Sequence, residues 1–206
     1  MQQRSEQASR RGPSAGRANQ KLRTRTAILR AASELMREGR NVTMPEVAKA
    51  ALVSEATAYR YFPDLASLLG EAMAGQWPAP AEALAHVAGS TDPVERVAAA
   101  AEHLARTVLA HDGAPRAMIA ATITRPEDVS ARPALRLGLI DHALAPVAGT
   151  LDADALEQLK RGLSIVISAE AVFTLTDLLG LDAQEAVASV VSTATALTRE
   201  AVRPQA

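Results

Sequence analysis

Seven residues between Ser54 and Tyr61 carry the most pointed chemistry in this sequence. Ser54, Glu55, Ala56 and Thr57 are short or polar, so a helix beginning with them can bring its end close to base edges. Tyr59, Arg60 and Tyr61 follow within a turn and offer two phenols and a guanidinium at the right reach for phosphates. The chain has only two tyrosines and two phenylalanines, and both tyrosines stand in this tripeptide with Phe62 directly after it. A hairpin whose tyrosines only pack would not need that concentration.

Catalytic chemistry finds no comparable constellation. His86, His103, His111 and His142 are scattered without an i, i+4 pair or carboxylates at metal-ligand spacing, so no metal site is expected. Asp141 and His142 are adjacent and would point apart on a helix. No glycine-rich phosphate loop or nucleophile elbow is present, and neither catalytic residues nor a cofactor are expected. One carboxylate stands out: Glu170 is the only charge between Gly162 and Thr176. It can reach solvent, pair with a buried arginine, or line a ligand cavity together with His103, Arg106 or Arg136, since a buried unpaired charge is too costly to keep.

The elements that must position these groups run from Thr43 to Leu69. Thr43 is an N-cap residue with Glu46 three positions on, a capping-box pattern that starts a helix at Met44, and Pro45 falls in its first turn. Ser54 caps a second helix to Tyr61, leaving Leu52 and Val53 as the turn. A helix from about Leu22 to Glu38, with Ala27, Ile28, Ala31, Ala32, Leu35 and Met36 on one face and Gly39 as its end, would pack beneath these two. Asp64 caps a fourth helix through Leu65, Leu68, Leu69 and Met73. Helix, short turn, helix on such a base is the outline of a helix-turn-helix reader.

At these residues the sequence resembles a known family. VSEATAYRYFPDLASLL, preceded by AILRAASELMREGRNVTMPEVAKAA, is similar to the signature of the tetracycline-repressor (TetR) family of bacterial transcriptional regulators, and the resemblance covers residues 22–75 closely. It implies a homodimer on a palindromic operator in double-stranded DNA, with the fourth helix linking the reading head to a regulatory domain. Two positions depart from the pattern. Leu52 stands in the turn where the family often has glycine, which implies a turn without a left-handed residue, and Leu65 replaces a common lysine, removing one phosphate contact.

Charge distribution agrees with a DNA partner for one half of the chain. Net charge is −1, but residues 1–62 hold 12 Lys and Arg against 5 Asp and Glu, whereas residues 63–206 hold 10 against 18. Residues 1–20, polar and lacking apolar periodicity, read as a flexible basic arm able to lie on phosphates or enter a minor groove. Arg17, Lys21 and Arg23, with Arg25 beyond them, are the nearest of its charges to the folded body. Absence of cysteine fits a reducing compartment, and the charged start has no apolar segment behind it, so a cytoplasmic protein is expected.

Beyond the head, Pro78, Pro80, Gly89 and Pro93 mark a boundary, and Asp92-Pro93 starts a long helix to about His111. Shorter helices follow, one over PRAMIAATI and one from about Pro133 to Val147. Gly162–Thr176 reads as a helix apolar on all sides, too short to span a bilayer, so no membrane partner is expected. The final helix, Asp182 to Val202, shows Ala186, Val187, Val190, Val191, Ala194 and Leu197 on one face and the small Ala188, Ser192 and Thr195 on the other. These last two helices are the expected dimer interface. The expected fold is all-α: a basic arm (1–20), a helix-turn-helix DNA-binding head (21–75) and a helical ligand-binding and dimerisation domain (76–206). The expected function is a sequence-specific DNA-binding regulator, a repressor relieved by a small-molecule effector. Its rival is a dimeric DNA-binding module controlled by a protein partner without a small ligand. A cavity with convergent polar groups would favour the first, a filled aliphatic core the second.

Overall fold

The computed structural model describes residues 13–38, 42–73, 77–124 and 135–203, and among these every regular element is helical. Gly39, the loop after Thr124 and the arginines of the arm before Pro13 lie outside the described residues. The head consists of α1 (Pro13–Arg37), α2 (Met44–Ala50), α3 (Glu55–Tyr61) and α4 (Leu65–Met73). The body consists of α5 (Pro80–Ala83), α6 (Pro93–Ala110), α7 (Gly113–Thr124), α8 (Leu135–Leu144), α9 (Ala153–Val166), α10 (Ala169–Phe173) and α11 (Ala183–Ala201).

The first helix starts at Pro13, well before the expected Leu22, so residues 13–20 are helical and not an irregular arm. Residues 16–23 are exposed, and no apolar face holds them down. Once the buried turns around Ile28 nucleate the helix, each added residue gains a backbone hydrogen bond for little further ordering, and Pro13 suits a helix start.

The turn between α2 and α3 overturns the expectation for Leu52. Its φ is +57°, squarely left-handed. The Leu52 N–H donates to Lys49 O at 3.2 Å and the Val53 N–H to Ala48 O at 2.9 Å, the paired bonds of a Schellman ending, which demands a left-handed residue whatever its side chain. Leu52 is 92% exposed, so its side chain packs on nothing that would offset the strain. Left-handed backbone costs a non-glycine residue about 1–2 kcal/mol, while glycine loosens the unfolded chain by about 0.5–1 kcal/mol. Leu52→Gly is therefore expected to raise the unfolding free energy by about 0.5–1 kcal/mol, read as a higher denaturant midpoint at unchanged slope. A lower midpoint would refute a strained turn.

Two apolar cores result. In the head, Ile28, Ala32 and Leu35 of α1 meet Val47 and Ala48 of α2, Ala58 of α3, Phe62, and Leu68 and Leu69 of α4. That core is completed from outside the head, by Ala114 and Met118 of α7. In the body, α6 packs against α8, α10 and α11, α9 lies on α8 and α11, and Val97, Ala101, Leu104, Ile140, Leu163 and Val190 fill the interior.

The stretch Gly162–Thr176 is not one helix. α9 begins nine residues earlier, at Ala153 on the cap of Asp152, whose carboxylate accepts from the Asp154 and Ala155 N–H groups, and it buries Leu156, Leu159 and Leu163. It ends where Ile165, Val166 and Ile167 place β-branched residues in succession and Ser168 turns extended. The Ser168 hydroxyl donates to Ile165 O at 2.7 Å and accepts from the Ala171 N–H at 3.0 Å, competing with helix continuation and starting α10 instead. A π-helical turn, Thr174–Leu178, follows. The apolar stripe of α11 faces inward. Ala186, Val187, Val190 and Ala194 are buried in the chain's own core, as is Thr195, which was expected on the small face. Its exposed face carries Ala188, Ser192 and Ala196, while Leu197, also exposed, stands at the edge toward Gly162 of α9.

Candidate DNA-reading head and effector cavity

Capping positions the candidate reading helix. The Ser54 hydroxyl accepts from the Thr57 N–H at 3.2 Å and lies 2.9 Å from Thr57 Oγ1, so both hydroxyls are tied together at the start of α3. Ala58 has no exposed surface and closes α3 against α2. Glu55, Ala56, Tyr59 and Arg60 therefore face outward, with Thr57 and Tyr61 half-buried at the margins. The Arg60 guanidinium lies 5.7 Å from the Tyr61 ring, side by side with it at the end of the helix. Phe62, by contrast, belongs to the core. Thr43 caps α2 by accepting from the Glu46 N–H at 3.4 Å, but the reciprocal half of the capping box is not made, and Glu46 Oε2 is buried without a hydrogen bond.

Of the arm-side charges, Arg17, Lys21 and Arg23 are exposed on α1. Arg25 is not available in the same way. It forms a two-pronged ion pair with Glu71 of α4 and stacks 5.0 Å from the Phe62 ring, locking the first helix to the fourth.

A cavity of about 270 Å³ opens in the body between α6, α7, α8 and α10, with Met73 and Trp77 from the head side. Its walls are largely apolar, and His103, Arg136 and Glu170 converge on it. Arg136 Nη1 donates to Glu170 Oε2 at 3.2 Å, both side chains about one-third or more exposed, so the pair stands where the cavity meets solvent. Burial, reinforced by nearby His86, pushes the His103 imidazole below its ordinary pKa. Arg106 does not join them. It sits one turn from His103 on the outer face of α6 and pairs with Glu102 at 2.8 Å, because i, i+4 spacing places those two together.

Sequence reasoning missed the connection between cavity and head. Met73 and Met118 line the cavity and are also buried in the head's core. A second cavity of about 390 Å³, bounded by Ser33, Met36 and Arg37 of α1, shares the wall of Met73, Trp77 and Pro78 with the first. Trp77 packs there at 6.0 Å from the His111 ring. The only signal was a lone tryptophan in a proline-rich boundary. Arg116 of α7 then reaches Asp177 in the π-helical turn with two hydrogen bonds, at 2.6 and 2.9 Å, and lies 3.9 Å over the Phe173 ring. Those bonds hold the Asp177 carboxyl down at about 2, so the link persists until pH falls through that value.

Among the described residues no three His, Asp or Glu side chains converge as metal ligands, and no helix is long and apolar enough to cross a membrane. No curated protein matches the chain. Residues 28–72 match the family described as bacterial regulatory proteins, tetR family. A solved TetR transcriptional regulator from Rhodococcus sp. RHA1 is similar in fold, with a TM-score of 0.58 at 20% identity, covering 86% of this chain and 97% of that one. The helix-turn-helix pair α2 and α3 lies inside the matched stretch 28–72, so the head is similar to that family of bacterial regulatory proteins, and the solved regulator shares the all-helical fold.

Proposed function

We propose that the protein is a cytoplasmic, non-enzymatic repressor that binds a palindromic operator as a homodimer and releases it when a small molecule enters the body cavity. Residues 21–75 act as the DNA-binding head and 76–206 as the regulatory and dimerisation domain. Glu55, Ala56, Thr57 and the cap Ser54 read bases, Thr43, Tyr59, Arg60 and Tyr61 hold phosphates, and Arg17, Lys21 and Arg23 add charge along α1. α9 and α11, exposed at Ile165 and at the small Ala188, Ser192 and Ala196, supply the surface on which a second copy packs closely.

The observation that carries the regulatory half is the double role of Met73 and Met118, which touch the cavity on one side and the head's core on the other. A ligand that fits only when α7 shifts moves the helix that closes the head, and so changes the spacing of two heads across a dimer. A coupling of about 1–3 kcal/mol corresponds to a 5- to 150-fold change in DNA affinity. A cavity where three polar side chains converge supports a small ligand over a protein partner.

Binding-site selection with the purified protein tests the DNA reading. An inverted repeat is the expected product, and recovery of random sequence would refute it. On the selected duplex, deleting residues 1–17 should make log affinity less steep in log salt, by about 0.9 for each phosphate that an arginine of this segment neutralises. An unchanged slope would leave those residues no part in binding.

A further inference from the structure

Three elements of the head meet at one side chain. Phe62 follows Tyr61 and ends α3, its N–H donating to Ala58 O at 2.9 Å while its backbone turns extended at φ −135° and ψ 108°. Its ring is 2% exposed. The Arg25 guanidinium of α1 lies 5.0 Å from the centre of that ring, and its two terminal nitrogens donate to the two carboxylate oxygens of Glu71 on α4. A planar fork gripped at both prongs is held in one orientation, so the face it turns to Phe62 is fixed as well. α4 packs in turn on α7, which places Arg25 between the body and the end of α3.

The pair is not buried for its own sake, since its side chains are 39% and 38% exposed. Charge alone would also argue against Glu71 on a head that approaches phosphates: a carboxylate there repels DNA, and it occupies an arginine that lies at i+4 and i+8 from exposed Lys21 and Arg17. Resting on the reading that α3 meets DNA, we propose that Arg25 is a positioning residue for α3. Held by Glu71, it sets the direction in which the helix ends, and with it the reach of Arg60 and Tyr61, without contacting the duplex itself.

The test compares Glu71→Gln, Arg25→Lys and the double variant with wild type, by fluorescence anisotropy on the duplex recovered by binding-site selection and on random duplex over a range of salt. Each single change should weaken both duplexes by about tenfold, as when one phosphate hydrogen bond is weakened in each protomer. The salt slope should stay as in wild type, because neither change removes a cation. The double variant should lose no more than the weaker single, since either change alone breaks the fork. Tighter binding by Glu71→Gln with a steeper salt slope overturns the proposal and makes Arg25 a phosphate contact that Glu71 holds back. Unchanged affinity in both singles, or losses that add in the double variant, overturns it too. Weakening that appears only together with lost helicity, followed by circular dichroism, makes the pair structural and overturns the assignment. Wild-type protein that prefers no duplex overturns the DNA reading and this inference together.

Discussion

Replacing Arg96 with methionine is expected to remove about 4 kcal/mol of stability. Arg96 is 4% exposed on α6, and four backbone carbonyls, with no carboxylate among its partners, satisfy it. Its Nε donates to Ala143 O at 3.1 Å and Nη2 to His142 O at 2.7 Å, while Nη1 donates to Val87 O at 3.0 Å and to Ser90 O at 3.4 Å. The first two carbonyls belong to the last turn of α8, where intrahelical donors run out and the helix dipole is negative. The other two end the turn that follows α5. A buried cation without a counter-ion would normally be prohibitive, but here two chain ends supply its partial negative charge. Methionine fills the stem's volume and takes a donor from each carbonyl; Val87 O keeps the Ser90 N–H at 3.1 Å, and the others lose about 1–3 kcal/mol for each one that water does not reach. Against a total stability of about 5–15 kcal/mol the loss is large, and the melting temperature should fall by roughly 10 °C. Arg96→Lys, which has a point charge in place of a planar fork, should recover only part of it. A loss under about 1 kcal/mol by denaturant titration would show that the four bonds are dispensable.

The largest effect on DNA binding is expected from Arg60→Ala combined with Tyr61→Phe. The Tyr61 hydroxyl has no hydrogen-bond partner among the described residues, and Arg60 is exposed without an ion pair there, so both polar groups are available to a duplex. Each hydrogen bond to a phosphate is worth about 1 kcal/mol, and a dimer gives up each of the two twice, for about 4 kcal/mol or roughly 1,000-fold in affinity. Because phosphates carry no sequence, selected and random duplexes should weaken alike, and the salt slope should become shallower by about 2 as the arginine of each protomer is removed. The fold should survive, since the anchors of α3 are Ala58 and the neighbouring Phe62. Weakening confined to the selected duplex, measured by fluorescence anisotropy, would reassign these residues to base reading.

Local chemistry was legible without coordinates. Thr43, Ser54, Asp64 and Asp92 all cap the helices that their side chains announce, because a cap depends on groups two or three residues away. The α1 stripe around Ile28 and Leu35 reads directly from its period and is buried as that period requires. Leu52 shows the limit of local reading. Its type argued against a left-handed turn, but the backbone between two helices of fixed angle needed one, and an exposed side chain bore the strain. Asp152 differs, for the cap of α9 stands in the sequence but is overshadowed by the more conspicuous apolar run after it.

By itself the sequence determined an all-helical chain with a basic, aromatic-tipped helix-turn-helix near its start, since capping, period and charge act over a few residues. Only the tertiary structure decided what each apolar face would meet. It turned the stripe of α11 inward against α6, sent Arg106 outward to Glu102, gathered His103, Arg136 and Glu170 around one cavity, and used Met118 to close a core belonging to the head. Those outcomes depend on packing between residues far apart in the chain, where the hydrophobic effect rewards burial without specifying a partner, and the partner is chosen by the geometry of all the helices together.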